Sequence, residues 1–256
     1  MGGTNTYHPA VTEAGWGRPN YPNENEIKVW AETGLCYNLP LKTTMIGNVN
    51  SIKQSLQLFQ RRVLDWFVRC FAHGALESRA EQITQHFADQ ISEKSRVLDL
   101  GGGWGFYADP LKRRGHESLI LDVVKPGYQR APVVLYDGSR IPFPDKSFDV
   151  TVLVTMLHHV PDPEALFREV RRVTRQKVVV VEDLYHHTAG RWWTICRDRI
   201  LNVEFMAHPH QFRTDGGWRE FFKTAGFKVC SFKSFFTWLL GLRILQGVYI
   251  LEKIQE

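Results

Sequence analysis

Apolar positions along this chain change their period twice. Up to about residue 50 there is no period, and Pro9, Pro19, Pro22 and Pro40 stand among many Gly, Asn and Thr residues. This reads as an irregular N-terminal arm over 1–50. From Ile52 the spacing becomes helical. Ile52, Leu56, Phe59, Val63, Trp66, Phe67, Cys70 and Phe71 recur at steps of three and four, which makes one apolar face. Arg61, Arg62, Asp65 and Arg69 fall largely outside it. A second helix is expected over 77–91, with Ile83, Phe87 and Ile91 turned inward. The two helices form a segment 51–95 that packs as core or serves as a lid.

After residue 95 the period shortens and alternates. "RVLDL" is a strand, followed by glycines and a helix to about Arg114. "SLILDV", "PVVLYD" and "SFDVTVLVTM" are strands, then "DPEALFREVRRV" is a helix and "KVVVVEDL" a strand. "GGWREFFKTAGFKVCSF" reads as helix, glycine cap and strand, and "QGVYILEK" as a last strand. Short β-branched runs separated by helices predict an α/β fold, with a mostly parallel sheet covered by helices on both faces. The expected domain is 96–256, with an insertion at about 184–215. The stretch "FFTWLLGLRILQGVYIL" is interrupted by Arg243 and two glycines, so it reads as strand, turn, strand rather than a membrane span.

Composition adds little to this picture. The 256 residues are 43% hydrophobic, enough for a sizeable core, and the net charge of +5 comes without a dense basic block. Nucleic acid is therefore not the expected partner. Cys36, Cys70, Cys196 and Cys230 are too far apart for a zinc motif or a disulfide framework, and free thiols in a reducing compartment, the cytoplasm, are expected. The N-terminus has no basic-plus-apolar leader pattern. "MGGTNT" fits the loose N-myristoylation pattern, which is short enough to arise by coincidence. Peripheral membrane contact is left open, and nothing fixes the oligomeric state.

The chemistry concentrates at Asp99-Leu100-Gly101-Gly102-Gly103-Trp104-Gly105, where a strand gives way to a helix. Glycine suits a sharp turn against which a ligand lies. The dinucleotide pattern G-x-G-x-x-G fails, because Phe106 stands at its sixth position counted from Gly101, and no phosphate-binding G-x-x-x-x-G-K-[ST] is present. A carboxylate just before the turn would repel a pyrophosphate and suits a cationic group. Asp122 ends the next strand, about 20 residues on, the distance expected of a ribose contact. Asp137 follows a third strand. Three acids at successive strand ends with a glycine turn describe a nucleoside that carries a cation and no phosphates. S-adenosylmethionine fits that description. The bland reading of each acid alone is a cap or turn residue.

The stretch from about Val97 to Val173 resembles the class I S-adenosylmethionine-dependent methyltransferases, in particular the methyltransferase type 11 group. "VLDLGGGWG", "LILDVV" and "YDGSRIPFPDKSFDVTVLVTMLHHVPDPEALFREVRRV" carry the resemblance, and "PFPDKSFDV" with "LHHVPDP" is its specific part. The resemblance implies a Rossmann-like seven-stranded sheet. It implies that Asp99, Gly101 and Gly103 hold the methionine part of the cofactor, that Asp122 holds the ribose and that Asp137, with Gly138, lies beside the adenine. Thr155 and Met156 would line the cofactor. The chain departs from the family before the fifth strand, where "VTRQKVVVV" replaces the usual Pro-Gly-Gly turn.

The acceptor is less defined. His158 and His159 follow the fourth strand, where the acceptor should meet the methyl group. His158 is expected to be the general base and His159 a loop anchor. The loop "MLHHVPDP" also resembles that of quinone-pathway O-methyltransferases, where an acid-x-x-acid-His pattern can hold a metal. Here Thr155 and His158 occupy the acid positions, so no metal is expected. The segment after the fifth strand gathers Glu182, Asp183, His186, His187, Asn202, His208 and His210 with Trp192, Trp193 and Phe205, and reads as a polar and aromatic cover over the acceptor. The expected function is methyl transfer to a small, partly apolar acceptor, with O-methylation favoured. The alternatives are RNA or protein methylation, or a module that binds the cofactor without turnover.

Overall fold

The computed structural model describes residues 59–60, 62–201 and 210–255. The expected arm 1–50, and the helix positions Ile52 and Leu56, lie outside the described residues. Helical residues 62–67 run into a π-helix, Val68–Ala72, and then into α1, His73–Gln85. A 3-10 turn, Ala88–Gln90, leads to β1 (Arg96–Leu100). There follow α2 (Ala108–Arg113), β2 (Glu117–Asp122), β3 (Val133–Leu135) and β4 (Phe148–Val154). Beyond a 3-10 turn, Leu157–His159, come α3 (Pro163–Val173), β5 (Thr174–Asp183) and α4 (Thr188–Leu201). The chain continues through α5 (Asp215–Thr224), β6 (Phe227–Leu239) and β7 (Leu242–Lys253).

The strands form one seven-stranded sheet in the order β3-β2-β1-β4-β5-β7-β6. The first five are parallel, and β7 is antiparallel to both β5 and β6. This is the α/β, mostly parallel sheet that the alternation of elements predicts, and the Rossmann-like seven-stranded form that the resemblance implies. All seven residues of β4 are buried, as a strand covered on both faces must be. One face packs Leu98, Leu100, Leu153 and Val180 against Phe167, Trp218 and Phe222. The other packs Val97, Val152 and Val179 against Ile83, Phe87 and Leu111. Chain order reverses between β1 and β4, and the carboxyl ends of that pair are where an open α/β sheet forms its crevice.

Local chemistry explains most boundaries. α3 starts at Pro163 because Asp162 caps it, its carboxylate accepting from the Ala165 N–H at 2.8 Å. The Thr214 hydroxyl accepts from the Gly217 N–H and starts α5 in the same way. β6 and β7 are joined by Leu240 and Gly241, both at positive φ, the two-residue turn whose twist suits a hairpin. Among the described residues, no helix is long and apolar enough to cross a membrane.

Two helical expectations are corrected. The helix expected over 77–91 runs from His73 to Gln85 and breaks before the 3-10 turn, although Ile83, Phe87 and Ile91 are all buried. The preceding stripe does not point wholly inward. Phe59, Trp66, Cys70 and Phe71 are exposed, while Val68 and Ala72 are buried. The π-turn at 68–72 accounts for part of this, since its extra residue rotates the face out of a 3.6-residue period.

Phe167 is fully buried against Phe221, Phe222 and Phe227. Phe167→Ala should cost about 3–5 kcal/mol in denaturant unfolding. A loss below about 1 kcal/mol would mean that this aromatic cluster is not the core.

Candidate active site

The glycine turn leaves β1 at the crevice. Gly101 continues the ladder, its N–H donating to Leu121 O at 2.8 Å. The Asp99 side chain lies directly beneath Gly102, where a Cβ would collide with it. Gly103 has φ +51° with open space where a Cβ would be, so the turn presents bare backbone. Its N–H donates to Asp122 Oδ2 at 2.9 Å, and Val124 N–H donates to Oδ1 at 3.0 Å. Met156 packs on Gly101 from the β4 side. Thr155 has φ +47°, an outlier for a β-branched residue, held by its N–H bond to Val181 O at 2.7 Å.

A cavity of about 320 Å³ opens beside this turn. Gly101–Gly103, Thr155 and Met156 form one wall, and Leu64, Val68, Leu201, Leu239 and Leu240 supply apolar surface opposite. A smaller hollow of about 160 Å³ adjoins it, lined by Asp122, Val124 and Pro126, and Gly103 and Trp104 belong to both.

Sequence-predicted residues thus divide. Gly101, Gly103, Asp122, Thr155 and Met156 come together around the two hollows. Asp99 supports the turn from below. It is 1% exposed, and its Oδ2 makes no hydrogen bond. Burial, reinforced by the charge of Asp122, pushes its carboxyl up to about 7. Asp137 and Gly138 line neither hollow. Asp137 is exposed and spends its carboxylate on Ser139, accepting from both its hydroxyl and its N–H, which holds it below the usual range. That is the turn-forming use of an aspartate.

The two histidines have different surroundings. His158, expected at the methyl group, is 1% exposed and does not line the cavity. Its Nδ1 lies 2.6 Å from Glu182 Oε2, and its ring stacks on Phe212. Glu182 also accepts from Leu157 N–H at 2.7 Å. Burial alone would push the His158 ring down, but the Glu182 and Asp198 carboxylates outweigh it and raise it to about 10. The ring is enclosed between Glu182 and Phe212. His159 lines the cavity instead, with Nε2 3.5 Å from Asp198 Oδ2.

Asp198, Arg197 and Arg79, which sequence reasoning did not single out, also line the cavity. Burial would raise Asp198, yet His158, with His159 and His210, holds it below the usual carboxylate range. Arg197 pairs with Asp183, whose other oxygen accepts from Gln246 at 2.9 Å. The only sequence signal for Arg197 and Asp198 is their place in the segment after β5, and Arg79 lies in α1. His158, His159 and Asp198 bring three potential metal-ligand atoms within 4.8 Å of one another.

Residues 98–181 match the family model described as a methyltransferase domain. Over these residues the chain carries a methyltransferase domain. An uncharacterized methyltransferase of Mycobacterium sp. (strain KMS) is 38% identical over 86 residues, which are 31% of this chain and 34% of that protein. A demethylmenaquinone methyltransferase of Renibacterium salmoninarum is 31% identical over 117 residues, 42% of this chain and 49% of that protein. The chain therefore spans about a third to a half of the length of these relatives. The fold is shared with the 1,6-didemethyltoxoflavin-N1-methyltransferase of Burkholderia thailandensis, at TM-score 0.56 and 16% identity, over 80% of this chain and 89% of that one.

The cofactor of this domain class is S-adenosylmethionine, and the methyltransferase turn fits it. The buried Asp99 oxygen without a hydrogen bond and the open backbone at Gly103 suit a ligand that is cationic and lacks phosphates.

Asp99 makes fold stability depend on pH. Its folded value of about 7 lies above the ordinary 3.8, so the folded state holds the extra proton between those values. Its stability contribution is complete below 3.8 and is lost as pH rises to about 7. Asp99→Asn should remove that slope and stabilise the ligand-free fold at about pH 8 by roughly 1–3 kcal/mol. Denaturant unfolding at pH 5 and 8 checks this, and a variant less stable at pH 8 would contradict it.

Proposed function

We propose that this chain transfers a methyl group from S-adenosylmethionine to a small acceptor that has an apolar body and an ionisable hydroxyl. One observation carries the proposal. The cavity has bare glycine backbone on one wall, His159 and Asp198 on another, and leucines over much of the rest. The names of relatives such as the demethylmenaquinone methyltransferases support a quinone-related acceptor.

S-adenosylmethionine, when bound, supplies an electrophilic methyl group on a sulfonium. The chain's own part is to position and to move a proton. Gly101–Gly103 and Asp122 would hold the nucleoside and its amino acid end, and Asp99, beneath the turn, would balance the positive charge. The leucine wall orients the acceptor and excludes water, which gives the alignment that a direct displacement needs. His159 takes the acceptor's hydroxyl proton, and Asp198 stabilises the imidazolium that results. The oxygen's freed electron pair would form the new O–CH3 bond as the S–CH3 bond breaks, its electrons returning to sulfur so that S-adenosylhomocysteine leaves. In an aromatic acceptor the same deprotonation makes the neighbouring ring carbon a nucleophile, and that carbon loses its own proton after methylation. His158 and Glu182 brace the loop from behind.

Calorimetry on the full chain should detect S-adenosylhomocysteine and no response to NAD. Asp122→Ala should weaken the former about 10- to 100-fold. NAD binding with no response to the sulfur nucleoside would overturn the reading. With labelled cofactor and cell extract split into lipid, small-molecule and RNA pools, label should enter a lipid or small-molecule product. Label in RNA alone would contradict the acceptor class. His159→Ala should lower turnover by about 10²-fold or more, with S-adenosylhomocysteine affinity nearly unchanged. Full turnover in that variant would remove His159 from the proton path. His158→Ala should act first on stability, by about 3–5 kcal/mol, because it strands the buried Glu182 charge.

A further inference from the structure

α4 is amphipathic in the wrong sense for a helix on a water-soluble surface. Its buried side includes Thr194, Arg197 and Asp198, while Trp192, Trp193 and Ile200 are 61%, 55% and 68% exposed. The β6–β7 hairpin repeats the inversion. Thr237 is fully buried, while Phe236, Trp238 and Leu240 stand out on the other side. So does the helical stretch before α1, where Phe59, Trp66 and Phe71 are exposed. Of the eleven large apolar side chains exposed among the described residues, nine lie on these three segments. All three segments line the same cavity, through Leu64, Leu201 and Leu240. The apolar side chains therefore sit on the elements that frame one opening rather than being scattered singly over the surface.

The exposed charges on these segments have one sign. Arg62, Arg69, Arg191, Arg199 and Arg243 are exposed, and no described Asp or Glu on the same stretches is. Arg243 lies over the Phe236 ring, 3.6 Å from its centroid. Four of the nine apolar side chains are Trp, whose ring suits a boundary between water and hydrocarbon. Exposed tryptophans interleaved with arginines complement an anionic lipid surface: the rings enter the headgroup boundary while the guanidinium groups meet the phosphates.

We infer that the cavity rim, made of α4, the β6–β7 hairpin tip and the helical stretch before α1, docks this chain on an anionic membrane surface. Docking brings the mouth of the cavity against the lipid, so an acceptor dissolved there can enter without crossing water. The inference rests on the rim alone and does not need His159 to be the base.

The test is sedimentation of the full chain with vesicles of phosphatidylcholine, and of phosphatidylcholine mixed with phosphatidylglycerol. The chain should sediment with the anionic vesicles and much less with the neutral ones, and raising salt from about 0.1 M should release it. The double variant Trp192→Ser and Trp193→Ser should lower binding about tenfold or more. Arg191→Glu with Arg69→Glu should lower it by about fivefold per arginine or more. These positions are exposed, so unfolding midpoints and S-adenosylhomocysteine affinity should stay unchanged in both. Absence of sedimentation with anionic vesicles would overturn the proposal, as would binding that ignores both variants. Sedimentation velocity in the absence of lipid gives the third check. A dimer that the Trp variants convert to monomer would assign the rim to a second copy of the chain and overturn the lipid reading.

Discussion

Two consecutive carboxylates, Glu182 and Asp183, are buried at the end of β5. Strand alternation sends them to opposite faces of the sheet, so each has to find a cation of its own. Glu182 takes the ring of His158 and the N–H of Leu157. Asp183 takes Arg197 and the amide of Gln246. Leaving either charge unpaired would cost about 3–5 kcal/mol, so both partners are fixed. The 3-10 turn after β4 is pinned on one side and α4 on the other. The cavity lies between them.

This constraint also explains the outer surface. α4 has to turn Arg197 inward to reach Asp183, and Asp198 inward to reach the histidines. On a 3.6-residue helix that choice leaves Trp192, Trp193 and Ile200 facing out. The polar cluster that shapes the cavity and the apolar rim around it are two sides of one helix. A lipid-facing rim turns the exposure of those rings from a solubility cost into a function.

The fold was legible because its signals are local. Short β-branched runs, the Asp162-Pro163 cap and the glycine turn all act within a few residues, and Asp122 lies at a fixed distance along one βαβ unit. Their order alone implies the sheet and the crevice. The surroundings of His158 and His159 were not legible. Adjacent residues on a 3-10 turn project in different directions, and the direction is set by Glu182, 24 residues away, and by Phe212. Asp137 spends its carboxylate on Ser139, a local turn bond that the motif alone does not distinguish from a side chain facing a ligand. The inward side of α4 gave no signal either, since Arg-Asp-Arg reads as a solvated run until Asp183 and the histidines are seen beneath it.

The account depends on His158 being a buried cation that braces the cavity wall, with His159 and Asp198 on the wall itself. Long-range ¹⁵N–¹H spectra of the imidazole rings in the full chain read this directly. At about pH 8, well above the ordinary histidine range, His158 should still show both ring nitrogens protonated. A His158 ring that is neutral at that pH would mean that Glu182 does not hold it as an ion pair, and the division of labour between the two histidines would fall.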